Sequence, residues 1–225
     1  MSECLEVDSV IKSFGEHDIL TDIYLCCRPK DIIGIFGING SGKSTLLKII
    51  FGTMKANRSF VRINGVVQNC PAYLSGMIAY LPQDSFLPQH ITMYKLVQVF
   101  LGYDKVAVNH FLGDRFLFKL RNEKIRDLSG GEQRYLEIKL IINSRSPYIL
   151  LDEPFNGLSP ISAGAIRQYI VEASQKKGIV LVDHNYREVE KVVNRIFLLD
   201  RCYLREFSYI EELAKYGYFQ TTAFE

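Results

Sequence analysis

The sequence contains no apolar run approaching the ~20 residues that a membrane-spanning helix needs. Its opening residues, Met1-Ser2-Glu3-Cys4-Leu5-Glu6, are acidic and lack an apolar signal core, which argues against export. Cysteine is sparse and scattered. Cys4, Cys26, Cys27, Cys70 and Cys202 show neither a zinc spacing nor a C-x-x-C pair, so an odd set in an unexported chain reads as reduced packing residues. An excess of one charge is also missing. The formal net charge is +2, from 27 Lys+Arg against 25 Asp+Glu, which points to neither nucleic acid nor an acidic membrane surface. No low-complexity tract, disordered linker or internal repeat interrupts the chain. What remains is 225 residues, 48% hydrophobic, enough to bury the core of one globular domain with room for a subdomain.

The most informative stretch is Gly37-Ile38-Asn39-Gly40-Ser41-Gly42-Lys43-Ser44-Thr45. It follows Ile32-Ile33-Gly34-Ile35-Phe36, a run suited to a buried strand, and opens Leu46-Leu47-Lys48-Ile49-Ile50, which reads as helix. Strand, glycine-rich loop and helix together turn G-x-x-x-x-G-K-[ST] into a nucleoside triphosphate site. The glycines let backbone N–H groups converge on phosphate oxygens, and the helix N-terminus adds partial positive charge. Lys43 is suited to the β- and γ-phosphates and the Ser44 hydroxyl to Mg²⁺.

Around this loop the pattern alternates strand and helix. Leu5–Val10 and Ile19–Cys26 alternate apolar and polar residues as half-wet strands do, separated by a polar turn at Lys12-Ser13-Phe14-Gly15. Phe14 fits either a core position or a platform for a purine ring. Phe60–Ile63 and Val66-Val67 flank Asn64-Gly65, a hairpin signal. Met77–Leu81 is a buried-strand candidate that Pro82 stops, leaving Gln83 at its C-terminal end, where open α/β sheets bind ligands. Between residues 84 and 127 the periodicity becomes helical, over Thr92–Leu101 and Asn109–Leu120, with Thr92 and Asn109 as candidate caps and no obvious strand.

Leu128-Ser129-Gly130-Gly131-Glu132-Gln133-Arg134 then opens a helix over Tyr135–Ile142, and its N–H groups offer a second anion site. Tyr148–Leu151 runs into Asp152-Glu153, one carboxylate placed for Mg²⁺ and one able to take a proton from water. Ser159-Pro160 starts a helix to about Lys176, and Ile179–Val182 delivers Asp183-His184 to the same sheet edge. His17, His90 and His110 read as packing residues. A helix over Tyr186–Val193, a hairpin at Asp200-Arg201 and a helix near Ser208–Lys215 complete the chain.

These motifs, in this order, resemble the nucleotide-binding subunit of an ATP-binding cassette (ABC) ATPase, and the resemblance covers essentially the whole chain. It implies an α/β P-loop NTPase fold with a parallel-sheet core, an antiparallel β subdomain and an inserted helical subdomain. The expected division is one ABC domain over residues 1–225, with 1–83 and 128–225 as core and β subdomain and 84–127 as helical subdomain. The resemblance makes ATP and Mg²⁺ the ligands. Phe14 is then similar to the aromatic that stacks on adenine, while Asn39, Gly40, Ser41, Gly42, Lys43, Ser44 and Thr45 match the phosphate loop. Ser44, Gln83 and Asp152 match the metal-side residues, Glu153 the general base and His184 the switch histidine. Ser129, Gly130 and Gly131 match the signature that faces the nucleotide of a second cassette.

The family reading further implies a homodimer or paired cassette, integral membrane permease subunits as partners, no direct nucleic-acid binding, and a peripheral place on the cytoplasmic face of the cell membrane. Phe86, Leu87, Met93, Tyr94, Phe111, Phe116 and Phe118 would supply aromatic and apolar surface for that partner. Leu151–Ser162 and Val182–Glu188 look like the lipopolysaccharide-export and branched-chain amino acid importer ATPases. A soluble ABC protein of ribosomes or DNA is disfavoured, because the chain shows one cassette, no charged linker and no long coiled coil. A degenerate cassette is disfavoured by Glu153 and His184. One position departs from the family: its usual Leu-Asp-Pro reads Leu158-Ser159-Pro160.

Overall fold

Five parallel strands run through the centre of the computed structural model, which describes residues 3–216. They are β3 (Ile32–Phe36), β6 (Ile78–Leu81), β7 (Tyr148–Asp152), β8 (Gly178–Val182) and β9 (Arg195–Asp200), ordered β6-β7-β8-β3-β9. β10 (Tyr203–Phe207) adds an antiparallel edge beside β9 through a turn with Arg201 and Cys202 both at positive φ. The apolar runs of β3, β7 and β8 are buried throughout, as strands covered on both faces require. Alternate residues feed two cores. Ile149, Leu151, Ile179 and Leu181 face the helical side, while Leu150, Val180, Val182, Ile33 and Ile35 face α1 (Lys43–Phe51) and a second sheet.

That second sheet is antiparallel, in the order β2-β1-β4-β5, from β1 (Leu5–Phe14), β2 (His17–Cys27), β4 (Arg58–Ile63) and β5 (Val66–Val67). Asn64 and Gly65 both adopt positive φ, 52° and 81°, the two-residue turn that the Asn-Gly pair predicts. β1 runs on through Lys12, Ser13 and Phe14, where the sequence suggested a polar turn. Register shifts after Val7, Val10 and Lys12 break its alternation, and the turn falls at Gly15-Glu16.

The helical side holds α2 (Met93–Phe100), α3 (Lys105–Leu112), α4 (Gly130–Ile142) and α5 (Pro160–Ser174), and the short α6 (Tyr186–Val189) follows β8. Thr92 caps α2 as expected. Asn109 does not cap a helix. Asp104 starts α3 by accepting from Val106 N and Ala107 N, and Gly113 ends it, so residues beyond form turns and a 3₁₀ segment at Phe118–Leu120. A single antiparallel bridge, Thr92 to Lys124, joins the two ends of this stretch. α6 stops at Val189 rather than Val193, and Ile210–Tyr216 is 3₁₀ rather than α-helical. Cys4 and Cys27 lie in the core, while Cys70 is exposed rather than packed.

Candidate functional site

The parallel arrangement brings four loops to one edge: the phosphate loop after β3, Gln83 after β6, Asp152-Glu153 at the end of β7 and Asp183-His184 after β8. Gly42 has φ 106°, and a Cβ there would sit 2.7 Å from Ile19 Cγ2, so only glycine fits. No side chain caps α1, which leaves its first-turn N–H groups for an anion. Lys43 Nζ folds back and donates to Gly37 O at 2.5 Å and Ile38 O at 3.0 Å. Among the described residues no carboxylate lies within ion-pair distance of it. Burial pushes the Lys43 ammonium below its ordinary value, against the opposing pull of Glu153, Asp152 and Asp183. Ser41 Oγ is buried with no hydrogen-bond partner.

A cavity of about 590 Å³ opens over this loop, and Phe14, Asn39, Gly40, Gly42, Lys43, Ser44, Thr45, Gln83, Glu153 and His184 all line it, with Ile19, Asn156 and Val182. Phe14 stands half exposed at the end of β1, with Lys12 Nζ 4.5 Å from its ring centroid, and is not a core residue. Asp152 lies beneath the cavity floor, fully buried. Ser44 Oγ donates to Asp152 Oδ1 at 2.9 Å and Tyr80 OH to Oδ2 at 2.9 Å. Burial pushes this carboxyl up, and the Ser44 and Tyr80 hydroxyls hold it back only in part.

Glu153 takes an uncommon left-handed backbone, φ 51°, with its N–H bonded to Val182 O at 2.8 Å. Its carboxylate accepts from Gln83 Nε2 at 3.1 Å and Asn156 Nδ2 at 3.4 Å, and His184 Nδ1 stands 3.5 Å away. Asp183, buried beside them, accepts from Phe155 N and Asn185 N and ties the loops after β7 and β8 together. The sequence placed Asp183 at this edge without giving it a role, and gave Tyr80 and Arg134 none. Tyr80 and Asp183 carried the faint signal of a polar group at a strand end. Arg134 carried none, because its partners lie far along the chain.

Ser129, Gly130 and Gly131 do not join this cavity. Ser129 caps α4 in a reciprocal box with Glu132. Ser129 and Gly131 line a separate cavity of about 400 Å³ with Gly157, Ser159 and Ser162.

A parallel sheet whose glycine loop feeds a helix over a Ser-Asp pair defines a P-loop NTPase fold. The chain belongs to the ABC transporter family, whose model matches residues 20–156. It is 28% identical over 207 residues to the lipopolysaccharide export system ATP-binding protein LptB of Haemophilus influenzae, covering 87% of this chain and 86% of that one. Two solved structures share the fold. The ATP-binding subunit of an ABC transporter aligns with TM-score 0.82 and 22% identity over 96% of this chain and 94% of its own. A nucleotide-free ATP-binding cassette from an ABC transporter aligns with TM-score 0.77 and 24% identity over 95% and 94%. As a family, ABC ATP-binding subunits take ATP with Mg²⁺, dimerise and pair with membrane components. No helix among the described residues is long and apolar enough to cross a membrane.

Proposed function

We propose that this chain binds and hydrolyses Mg²⁺-ATP and, as half of a cassette dimer, energises a membrane transporter or lipid-export complex. The observation that carries this reading is the convergence of Lys43, Ser44 and Glu153 on one cavity, with Asp152 buried directly behind Ser44. The donor set fits the metal. Ser44 and Asp152 are too few oxygens for octahedral Mg²⁺, which ordinarily takes the rest from phosphates and water. No group of three or more His, Cys, Asp or Glu among the described residues could hold a metal alone. The unpaired Ser41 hydroxyl and the partly desolvated Lys43 likewise suit a polyanion.

Bound Mg²⁺ would neutralise phosphate charge during transfer. Lys43 exchanges its loop carbonyls for phosphate oxygens and so gains the anionic partner it lacks. Glu153 accepts the proton of the attacking water, while Gln83 and His184, both in reach of its carboxylate, orient that water. Phe14 offers its open ring to the adenine. Asn39, Gly40, Gly42 and Thr45 shape the loop around the phosphates, and a second cassette supplies Ser129, Gly130 and Gly131 from its own α4.

Residues 84–127 form the seat for an integral membrane permease at the cytoplasmic face. Of the seven residues named above for that role, Leu87, Met93 and Phe111 are buried and Tyr94 and Phe116 pack against the core, which leaves Phe86 and Phe118, with Val99, Phe100, Tyr103 and Val106 also exposed in this stretch, for a partner. Glu153→Gln tests the chemistry. It keeps ATP binding, lowers turnover by ~100-fold or more, and accumulates an ATP-bound dimer on size-exclusion chromatography. Turnover at the unaltered rate would remove Glu153 as base. Lys43→Ala instead weakens ATP binding itself.

A further inference from the structure

Of the three buried charges that α4 carries outside the proposed chemistry, Arg134 at 7% and Glu137 at 1% exposure form a pair, and the third, Lys139, lies further along the helix. Arg134 Nη2 donates to two successive carbonyls, Asp152 O at 2.5 Å and Glu153 O at 2.9 Å. Its Nη1 donates to Pro82 O at 2.7 Å and to Glu137 Oε2 at 3.2 Å. Glu137 Oε1 in turn accepts from Ser85 Oγ at 2.5 Å and Phe86 N at 3.3 Å. The pair therefore grips the chain on both sides of Gln83 and at the base of Glu153. In an extended strand successive carbonyls point apart. They reach one nitrogen here because Glu153 leaves β7 in the left-handed region, a conformation that costs energy in a residue with a side chain.

We propose that Arg134 is a positioning residue for ATP hydrolysis: its planar fork stabilises the left-handed Glu153 and keeps the Gln83 carboxamide against the Glu153 carboxylate. This rests on the assignment of Glu153 as base. The fork is essential, since a lysine places one point charge where Arg134 serves three carbonyls in fixed directions. Because Arg134 sits one turn after Ser129-Gly130-Gly131 on the same rigid helix, any shift of the signature loop is delivered to the base.

The test is Arg134→Lys in the full chain, assayed with Mg²⁺-ATP and with the membrane partner present. The buried Glu137 keeps a cationic partner. Melting is expected to stay near that of the unaltered chain and ATP affinity within about two-fold, while kcat falls by about 100-fold through misplacement of Glu153. Amide exchange at Glu153 and Phe86, measured without nucleotide, accelerates. An unchanged kcat, or a rise in KM alone, overturns the proposal. If Arg134→Lys does not fold, Arg134→Met with Glu137→Met removes both charges together, a replacement that buried pairs commonly tolerate, and the same loss of kcat is expected. If the unaltered chain turns over no ATP, the ATPase reading itself fails. The exchange rates then decide Arg134, with unchanged rates in the variant overturning the clamp.

Discussion

Tyr80 shows how one hydroxyl sets the behaviour of a buried carboxylate. Asp152 is fully buried and its carboxyl is raised by that burial, so in the fold its ionised form depends on the donors Ser44 and Tyr80. Tyr80→Phe removes one of them. A hydrogen bond to a charged group is worth roughly 1.5–3 kcal/mol, and the loss is felt in full only while Asp152 is ionised. The expected result is a melting deficit that is largest at alkaline pH and shrinks as pH falls through the raised Asp152 range, with the acid limb of Mg²⁺-dependent turnover moved upward. Thermal melts of both proteins across pH check this, and a deficit of constant size would refute it. The sequence announced Ser44, Gln83, Asp152 and Glu153 because each ends or follows a short apolar run in a local pattern. Tyr80, a polar group near a strand end, could not be matched to Asp152 for want of register. Only the pairing of Leu81 with Leu151 and Tyr80 with Leu150 puts it one row from Asp152 on the same face.

The parallel strands were readable as elements because strands buried on both faces are continuous apolar runs. Element ends were less so. α3 began early because Asp104 offered a better cap than Asn109, and β1 ran late because bulges hid its period. α4 was legible from its Ser-Gly-Gly start and its end at Ile142, not from an amphipathic stripe. It is buried from Arg134 to Ile142, charges included, and so has no polar face to mark it. Lys139 reaches Asp114, at 3.1 Å and with both side chains almost fully buried, and Tyr135 and Tyr169 donate to the same Asp114 oxygen. This cluster joins the turn after α3 to α4 and α5. Burial alone would raise the Asp114 carboxyl. Hydrogen bonds from Tyr169, Phe116 N and Tyr135, with the charge of Lys139, outweigh it and hold the group below its ordinary value. Its contribution is therefore present above about pH 4 and lost as pH falls through the depressed value. Asp114→Asn leaves Lys139 buried without its counter-charge and is expected to cost about 3–5 kcal/mol at neutral pH. Urea unfolding measures it, and a cost under about 1 kcal/mol would mean that the cluster relaxes through water.

At the scale of the whole molecule, the phosphate-loop cavity and the signature residues face different spaces, so under the proposed function each chain holds two half-sites. Ser159 stands between them. It caps α5, accepting from Ser162 N at 3.2 Å with Pro160 in the first helical position. It also lines the cavity shared with Ser129 and Gly131, and Gly131 lies so close to Gly157 O that a Cβ there would come within 2.7 Å of it. A change at Ser159 is thus one short loop away from the signature. The family's usual aspartate would cap α5 about as well, so Ser159→Asp is expected to change stability by only a few tenths of a kcal/mol. What Ser lacks is a fixed negative charge directed at the opposite cassette. The unaltered dimer is therefore expected to show weak cooperativity between its two ATP sites, and Ser159→Asp to strengthen it. Paired measurements decide the matter: melting temperature, and ATPase rate against ATP concentration with the membrane partner present. Unchanged melting with a steeper ATP dependence supports a missing link between sites. If neither quantity moves, Ser159 serves the helix alone and the absent aspartate has no bearing on how the two sites communicate.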